Sequence, residues 1–208
     1  MLKYRYILLV ILVCLTFAEP IIAQSQESIF QLASFPAISG TERPLLEEIR
    51  KNLPTWAETR FDNLDNLIVT IGKGTPNRLI AVPIDESGYV VSEIRDDGYL
   101  RLQYVQTIVP TALFHQFHEG QPIIVHTEKR PIAGVTTVLS THLQRNRVGI
   151  NNRICQPDDM WLDIGAKSRQ EVLDAGVKLL DPISLQNRTT KLGQYQVASL
   201  SAGLRASA

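Results

Sequence analysis

Apolar positions follow two different periods along the chain, helical at first and strand-like later. Between residues 26 and 53 they recur at intervals of three and four, which places them on one face of a helix. The residues that would share a face are Ile29, Leu32 and Ala33 in a first helix and Leu45, Leu46, Ile49 and Leu53 in a second. Residues 35–40 carry proline and glycine and separate the two predicted helices.

The start of the second helix is marked by polar residues. Ser39 precedes Glu42 by three positions, which is the spacing of a capping box. Pro44 suits the first helical turn, where backbone N–H groups have no intrahelical partner. The sequence therefore predicts a helix that begins near Thr41.

After residue 54 the period changes to that of strands. Residues 59–62 and 66–71 predict short strands, and residues 78–84 predict a largely apolar one. The continuous apolar run at residues 79–82 is typical of a strand covered on both faces. A helix–sheet–helix layer is therefore predicted for this part of the chain.

Beyond residue 88 short segments alternate with turn signals. The predicted strands are residues 89–94, 99–104, 121–127, 131–139 and 161–164. Asp97-Gly98 predicts a tight hairpin between the first two of them. Ser168, three residues before Glu171, predicts a helix over residues 168–175. The predicted fold class is α/β, with a partial helix–sheet–helix layer followed by a small β-barrel domain.

The first 23 residues have the pattern of a secretory signal peptide. Lys3 and Arg5 precede an apolar run at residues 7–18, and Ala23 offers a small residue for cleavage before Gln24. The run is short for a bilayer-spanning helix, which needs about 20 residues, although an uncleaved anchor remains the alternative. We expect an exported protein, secreted or periplasmic, with no membrane contact after cleavage.

Charge and cysteine content narrow the function classes. Without residues 1–23 the chain keeps 19 basic and 20 acidic residues, so nothing electrostatic indicates nucleic-acid binding. Cys14 lies in the predicted signal segment, which leaves Cys155 alone and excludes an internal disulfide in the processed chain. Stability is expected to come from burial or from association.

Six segments, in order, resemble the tetrahedral and glutamyl aminopeptidases, a family of two-metal peptidases. They are residues 35–42, 62–68, 84–91, 97–101, 131–135 and 161–171, and the resemblance spans residues 28–198. It implies the N-terminal part of an α/β peptidase-like domain at residues 24–87, a β-barrel association domain at 88–198, and a tail at 199–208. The barrel in that family mediates subunit association.

The resemblance also implies a chemistry that this chain carries only in part. In the family two divalent metal ions, zinc or cobalt, activate a water with a glutamate as general base. The first ligand is the histidine of a His-x-Asp pair, where this chain has Pro83 followed by Asp85. Ser201 stands where a bridging aspartate is expected. Asp85 is thus the one predicted catalytic-site residue, a relic, and no metal ligand is assigned.

Four histidines and a cysteine offer other chemistry. His115 and His118, three residues apart, could share a helix face and bind a metal, or pack in a loop with their aromatic neighbours. His126 lies in a predicted strand and is expected to be structural. His142 matches a barrel position of the family that is not catalytic. Cys155 has no base or oxyanion donor in its sequence context, so a small buried or surface residue is expected there rather than a nucleophile.

Two functions of different class follow. By the resemblance, the C-terminal metal ligands of the family are absent, so we expect a truncated and catalytically deficient member of it. The chain is either a metal-dependent aminopeptidase by descent, acting on peptides only if its true product is longer or another chain completes the site, or a noncatalytic oligomerisation or binding module. The predicted half-sheet at residues 66–84 leaves strand edges open, which favours a homo-oligomer or a completing chain as partner.

Overall fold

A computed structural model describes residue 27 and residues 29–106, 111, 113–138, 154–186, 189–193 and 196–199. Within them, residues 29–34 are helical. Two further α-helices follow, α1 (Arg43–Asn52) and α2 (Arg169–Asp174). The strands are β1 (Glu58–Phe61), β2 (Leu67–Thr70), β3 (Tyr89–Ile94), β4 (Leu100–Tyr104), β5 (Pro122–His126), β6 (Pro131–Val138), β7 (Met160–Asp163), β8 (Pro182–Leu185), β9 (Thr189–Leu192) and β10 (Gln196–Ser199). Two 3₁₀ turns occupy His115–His118 and Pro157–Asp159.

Six antiparallel strands form a closed barrel in the order β3-β4-β7-β6-β5-β8. Closure is made by β8, which pairs with β3 through Tyr89 opposite Ile183 and with β5 through Val125 opposite the same residue. The predicted barrel is therefore confirmed, and its five predicted strands agree with β3 to β7 within one residue at most ends. The sequence did not predict β8, β9 or β10.

The main hydrophobic core fills this barrel. Alternate residues of β3 and β4 point inward and are buried, and so are those of β5 and β7. The core residues are Tyr89, Val91, Ile94, Leu100, Leu102, Ile123, Val125, Cys155, Met160, Leu162, Val172, Val177 and Ile183. Val172 belongs to α2, so this helix covers part of the barrel interior.

The local signals in the barrel sequence are also confirmed. Gly98 has φ of 87° in the turn between β3 and β4, a conformation that favours glycine. Ser168 caps α2, because its hydroxyl accepts a hydrogen bond from the backbone N–H of Glu171 at 3.3 Å.

The capping box predicted for α1 is wrong. The helix begins at Arg43, and no side chain makes a capping hydrogen bond to it. The Glu42 carboxylate accepts instead from the backbone N–H of Gly40, and the Ser39 hydroxyl binds a distant residue described below.

The strand predicted at residues 78–84 is also absent. β1 and β2 pair only with each other, and the described residues 71–85 join neither this hairpin nor the barrel by strand pairing. The apolar residues that were expected to be covered on both faces are exposed, Leu79 at 92% and Ile80 at 86%. Strand propensity is not enough without a neighbouring strand to accept the backbone hydrogen bonds.

The last hairpin returns to the beginning of the described chain. In β9 the Thr189 hydroxyl donates to the carbonyl of Ala33 at 2.8 Å, and Lys191 pairs with Glu27 at 2.7 Å. No helix among the described residues has the length and apolar content needed to cross a bilayer. The predicted signal peptide, the tail beyond residue 199 and His142 lie outside the described residues.

Candidate functional site

Asp85 lies where the chain, after the exposed residues 71–83, comes next to the turn that contains Ser39. Its Oδ2 accepts a hydrogen bond from the Ser39 hydroxyl at 2.5 Å. The two residues are brought together by a parallel bridge between Ile38 and Glu86, in which the Glu86 N–H donates to the carbonyl of Ala37 at 2.8 Å. Asp85 therefore joins two segments that are 46 residues apart.

The same hydroxyl connects Asp85 to the barrel. Gln106, just after β4, donates from Nε2 to the Ser39 Oγ at 3.3 Å. Its Oε1 accepts from the Ser87 hydroxyl at 2.9 Å and from the Tyr104 hydroxyl at 3.2 Å. The residue predicted as a catalytic relic is thus part of a hydrogen-bonded joint between the N-terminal segment and the barrel.

A groove of about 630 Å³ lies between β2 and residues 79–85, and both Pro83 and Asp85 line it. Its other carboxylates are already engaged. Asp62 accepts from the backbone N–H groups of Leu64 and Asn66, each at 2.9 Å, and its pKa is lowered chiefly by the side-chain hydrogen bond from Asn66. Asp65 pairs with Arg43 at 2.5 Å.

His115 and His118 are brought together, but around a tyrosine. Both rings are buried, and their Nδ1 atoms lie 2.8 Å and 2.6 Å from the Tyr89 hydroxyl. Because this hydroxyl has one hydrogen, it donates to one imidazole and accepts from the other, so the two rings carry different tautomers. Tyr104 and Phe114 pack edge-on against them. The packed alternative describes these histidines, since both Nδ1 atoms are committed to Tyr89.

Acidification should weaken the folded chain through this cluster. Burial, together with the neighbouring His115, lowers the pKa of His118 to about 4, and burial lowers the pKa of His115 as well. Unfolded histidine titrates near pH 6.5, so below that pH the unfolded chain binds protons that the folded chain does not. The free energy of unfolding should therefore fall from pH 6.5 towards pH 5 and be independent of these groups above pH 7.

Urea unfolding measured at intervals between pH 7.5 and 5 checks this dependence. In the His118→Gln variant the slope below pH 6.5 should be shallower than in the wild type, whatever the absolute stability of the variant. A free energy of unfolding that rises between pH 6.5 and 5 would contradict the arrangement.

The remaining predicted residues do not join a reactive site. His126 of β5 lies with Nε2 2.8 Å from the Ser184 hydroxyl of β8, as expected of a structural residue. Cys155 is buried in the barrel core, which is the first of its two expected placements. Ser201, like His142, falls outside the described residues.

Comparison with models of protein families shows which family this chain belongs to. The sequence model described as M42 glutamyl aminopeptidase matches residues 65–207, more than half of the chain. The chain belongs to the M42 glutamyl aminopeptidase family. This confirms the resemblance predicted from the six segments.

Individual M42 relatives agree. A lysyl aminopeptidase of Pyrococcus furiosus is 30% identical over 168 residues, which are 79% of this chain and 46% of the relative. The structure of the TET1 peptidase of Pyrococcus horikoshii, described as able to assemble into a tetrahedron or a large octahedral shell, matches with a TM-score of 0.67 at 30% identity and covers 82% of this chain and 48% of its own. A TET aminopeptidase from a marine sediment archaeon of the Thaumarchaeota gives a TM-score of 0.68 at 27% identity, covering 81% and 46%. The chain thus spans about half the length of the relatives it matches.

The described residues do not fit the two-metal centre that the M42 resemblance implies. Pro83 has no donor atom for a metal, and the Asp85 carboxylate is held by Ser39. Across the described ranges, no group of three or more histidine, cysteine or acidic side chains is placed to hold a metal ion. Protein metal sites of the zinc type need three or four such ligands, which the described residues do not bring together.

Sequence reasoning missed three residues that matter here. The sequence pattern predicts a helix cap at Ser39 and assigns no role to Gln106 or Tyr89. Ser39 belongs to one of the six family-like segments, and that was the only available signal of a second role. Gln106 and Tyr89 act through contacts with residues that are distant in sequence, which no local pattern reveals.

Proposed function

We propose that this chain is an exported M42 protein without peptidase activity of its own, which acts as an association module. The proposal rests on the two residues found at the His-x-Asp position of the family. Proline replaces the histidine at position 83, and the remaining Asp85 is a structural acceptor for Ser39 at 2.5 Å. A carboxylate that fixes two segments of the chain has a use that does not require catalysis.

The barrel supports the association role. Its described strands form a closed ring around a continuous core, so the outer surface of the barrel is left for contacts. The TET1 relative of similar fold is described as able to assemble into a tetrahedron or a large octahedral shell. We propose that a homo-oligomer is the working form of this chain as well.

A second candidate is an aminopeptidase whose site is completed by another chain. The observation in its favour is that this chain corresponds to about 46% of the length of its P. furiosus relative, with the groove beside residues 79–85 open. The purified chain alone would then be inactive too, but adding the completing chain would produce metal-dependent hydrolysis of peptides.

Restoring the missing histidine should not restore catalysis. The Pro83→His variant gains one donor atom, yet Asp85 remains bonded to Ser39 and Ser201 supplies no bridging carboxylate. We expect no hydrolysis of aminoacyl p-nitroanilides above the buffer rate with zinc or cobalt present. Pro83→Ala serves as the matched variant for any change in folding, and metal-dependent turnover by Pro83→His but not by Pro83→Ala would contradict the proposal.

Export is the second part of the proposal and has its own test. Expression in a host with a secretory pathway should give a product whose N-terminal residue is Gln24, found outside the cytoplasm. Leu9→Arg introduces a charge into the apolar run and should leave the full-length chain in the cell, since a charged residue opposes membrane insertion. A wild-type product that starts at Met1 in the cytoplasm would contradict export.

A further inference from the structure

The buried cluster around Tyr89 lies beside the joint that connects the N-terminal segment to the barrel. Tyr89 is the first residue of β3 and pairs with Tyr104, the last residue of β4, with the two rings 5.6 Å apart. The hydroxyl of Tyr104 donates to Oε1 of Gln106 at 3.2 Å, and Gln106 donates in turn to Ser39. A short series of contacts therefore connects the two buried histidines with the joint.

The 3₁₀ turn at His115–His118, here called the histidine turn, is attached at two places. On one side its two imidazoles bond to the Tyr89 hydroxyl. On the other side the backbone carbonyl of His118 accepts a hydrogen bond from the hydroxyl of Thr136 in β6. A bond between a hydroxyl and a carbonyl does not titrate between pH 7.5 and 5, so only the attachment to Tyr89 depends on protonation.

Protonation is incompatible with the hydrogen bonds around Tyr89. With both imidazoles neutral, the hydroxyl donates to one Nδ1 and accepts from the other. When the accepting ring gains a proton, both Nδ1 atoms carry hydrogen, and the phenol hydrogen loses its acceptor. The new charge is also buried beside the rings of Tyr104 and Phe114, whose attraction for a cation is smaller than the loss of hydration. The closed arrangement therefore disfavours the protonated form.

The surroundings of the cluster lower its affinity for protons. Tyr104 of β4 packs edge-on against one imidazole, and Cys155, which precedes β7, contributes after burial and Tyr104 to a raised pKa of Tyr89. Phenol and thiol groups are neutral when protonated and supply no positive charge of their own. Glu119 follows His118, yet the pKa of His118 is lowered to about 4, by burial first and by the other histidine second. The histidines are therefore the groups of this cluster that acidification changes.

We propose that the histidine turn is a pH-sensitive switch: protonation of its imidazoles releases it from Tyr89 and, through Tyr104, loosens the joint between the barrel and the N-terminal segment. The N-terminal segment is then fixed to the barrel at neutral pH and freed in mildly acidic conditions. The inference adds regulation to the association role proposed above and does not depend on whether the chain has peptidase activity.

The size of the response follows from the linkage between protonation and opening. Because the pKa of His118 is lowered in the closed form, the stability of that form is complete above about pH 6.5 and falls as the pH drops towards 4. A histidine that is neutral when closed and titrates near pH 6.5 when released favours the open form about 30-fold more at pH 5 than at pH 7.5. Above pH 7 the opening should not depend on pH.

Hydrogen exchange followed by mass spectrometry at pH 7.5 and pH 5, with labelling times corrected for the intrinsic exchange rate, tests the switch on the intact chain. Peptides that contain residues 113–120 and residues 36–41 should lose protection at pH 5 by about 30-fold for each histidine released. Peptides from β7 should stay protected over the same labelling time. An equal loss in all peptides would show global unfolding and overturn the switch, and so would unchanged protection of residues 113–120.

His118→Asn tests the source of the response. Asparagine places an amide atom near the position of Nδ1 and does not titrate, so the loss of protection at pH 5 should be smaller in both peptides. His126→Gln is the matched variant, because His126 is a histidine of β5 whose pKa burial also lowers and whose Nε2 bonds to Ser184. It should leave the response as in the wild type. An equal effect of the two substitutions would overturn the assignment to the histidine turn.

Tyr104→Phe tests whether the histidine turn acts on the joint. This variant keeps the ring against the imidazole and removes the hydroxyl that donates to Gln106. The response of residues 113–120 should persist, and that of residues 36–41 should decrease. A full response of residues 36–41 in this variant, or none in the wild type, would overturn the connection to the joint. Each of these failures leaves the noncatalytic association role unaffected, since that role is tested by turnover and by oligomeric state.

Discussion

Leu162→Ala is expected to lower the free energy of unfolding by about 3 kcal/mol, within the 2–5 kcal/mol range of buried leucine truncations. Leu162 is fully buried in β7 and lies opposite Leu100 of β4, also fully buried. This pair is where β4 and β7 meet in the closed barrel. A cavity here removes both apolar burial and the contact that aligns the two strands.

Urea unfolding at pH 7.5 measures the loss. Leu173→Ala in α2, where the side chain is 43% exposed, removes the same atoms from a position that is not enclosed, and it should cost less than about 1 kcal/mol. Equal losses at the two positions would show that the barrel interior does not provide the stability of this chain.

Gly98→Ala is expected to destabilise the chain by more than about 2 kcal/mol, for two separate reasons. Gly98 has φ of 87°, where a side chain costs about 1–2 kcal/mol. In addition, a Cβ at this position would lie 2.4 Å from the carbonyl oxygen of Ala166 and 2.9 Å from the backbone nitrogen of Ser168. The hairpin turn and the segment that leads into α2 must then move apart.

Gly165→Ala separates the two contributions. Gly165 has φ of 80°, but a Cβ there would meet no atom within 4 Å, so this variant carries the conformational cost alone. The difference between the two variants in thermal or urea unfolding gives the cost of the contact with Ala166. A Gly98→Ala variant as stable as Gly165→Ala would mean that the turn does not pack against this segment.

The barrel was predictable because its signals are local. Alternating burial in β3 and β4, the Asp97-Gly98 turn and the Ser168 cap each depend on residues within a few positions of one another. β8 was missed for the opposite reason. It is four residues long, begins with Pro182, and is a strand only because it pairs with β3 and β5, far away in the sequence.

Residues 78–84 show the limit of the hydrophobic pattern. The continuous apolar run predicts a strand covered on both faces. The run shows that these residues are suited to a strand, but a strand forms only where a neighbouring strand accepts its backbone hydrogen bonds. In the described structure residues 78–84 have strand-like composition without a strand neighbour.

Only the residue types of the candidate site could be predicted from the sequence. Pro83 and Asp85 could be read directly from the resemblance to the M42 family, and their lack of a metal ligand set followed from the residue types. The contact between Asp85 and Ser39 could not be predicted, because Ser39 had a plausible local role as a helix cap. A serine hydroxyl can either cap a helix or bond to a residue that is distant in the sequence, and the fold determines which contact forms.

Metal content and aminopeptidase turnover, measured together on the purified chain after incubation with zinc or cobalt, give the most direct test of the noncatalytic proposal. We expect far less than one metal ion per chain after gel filtration and no hydrolysis of aminoacyl p-nitroanilides above buffer. Stoichiometric metal, with turnover that is lost in Asp85→Asn, would contradict the proposal and show that the chain assembles a working peptidase site.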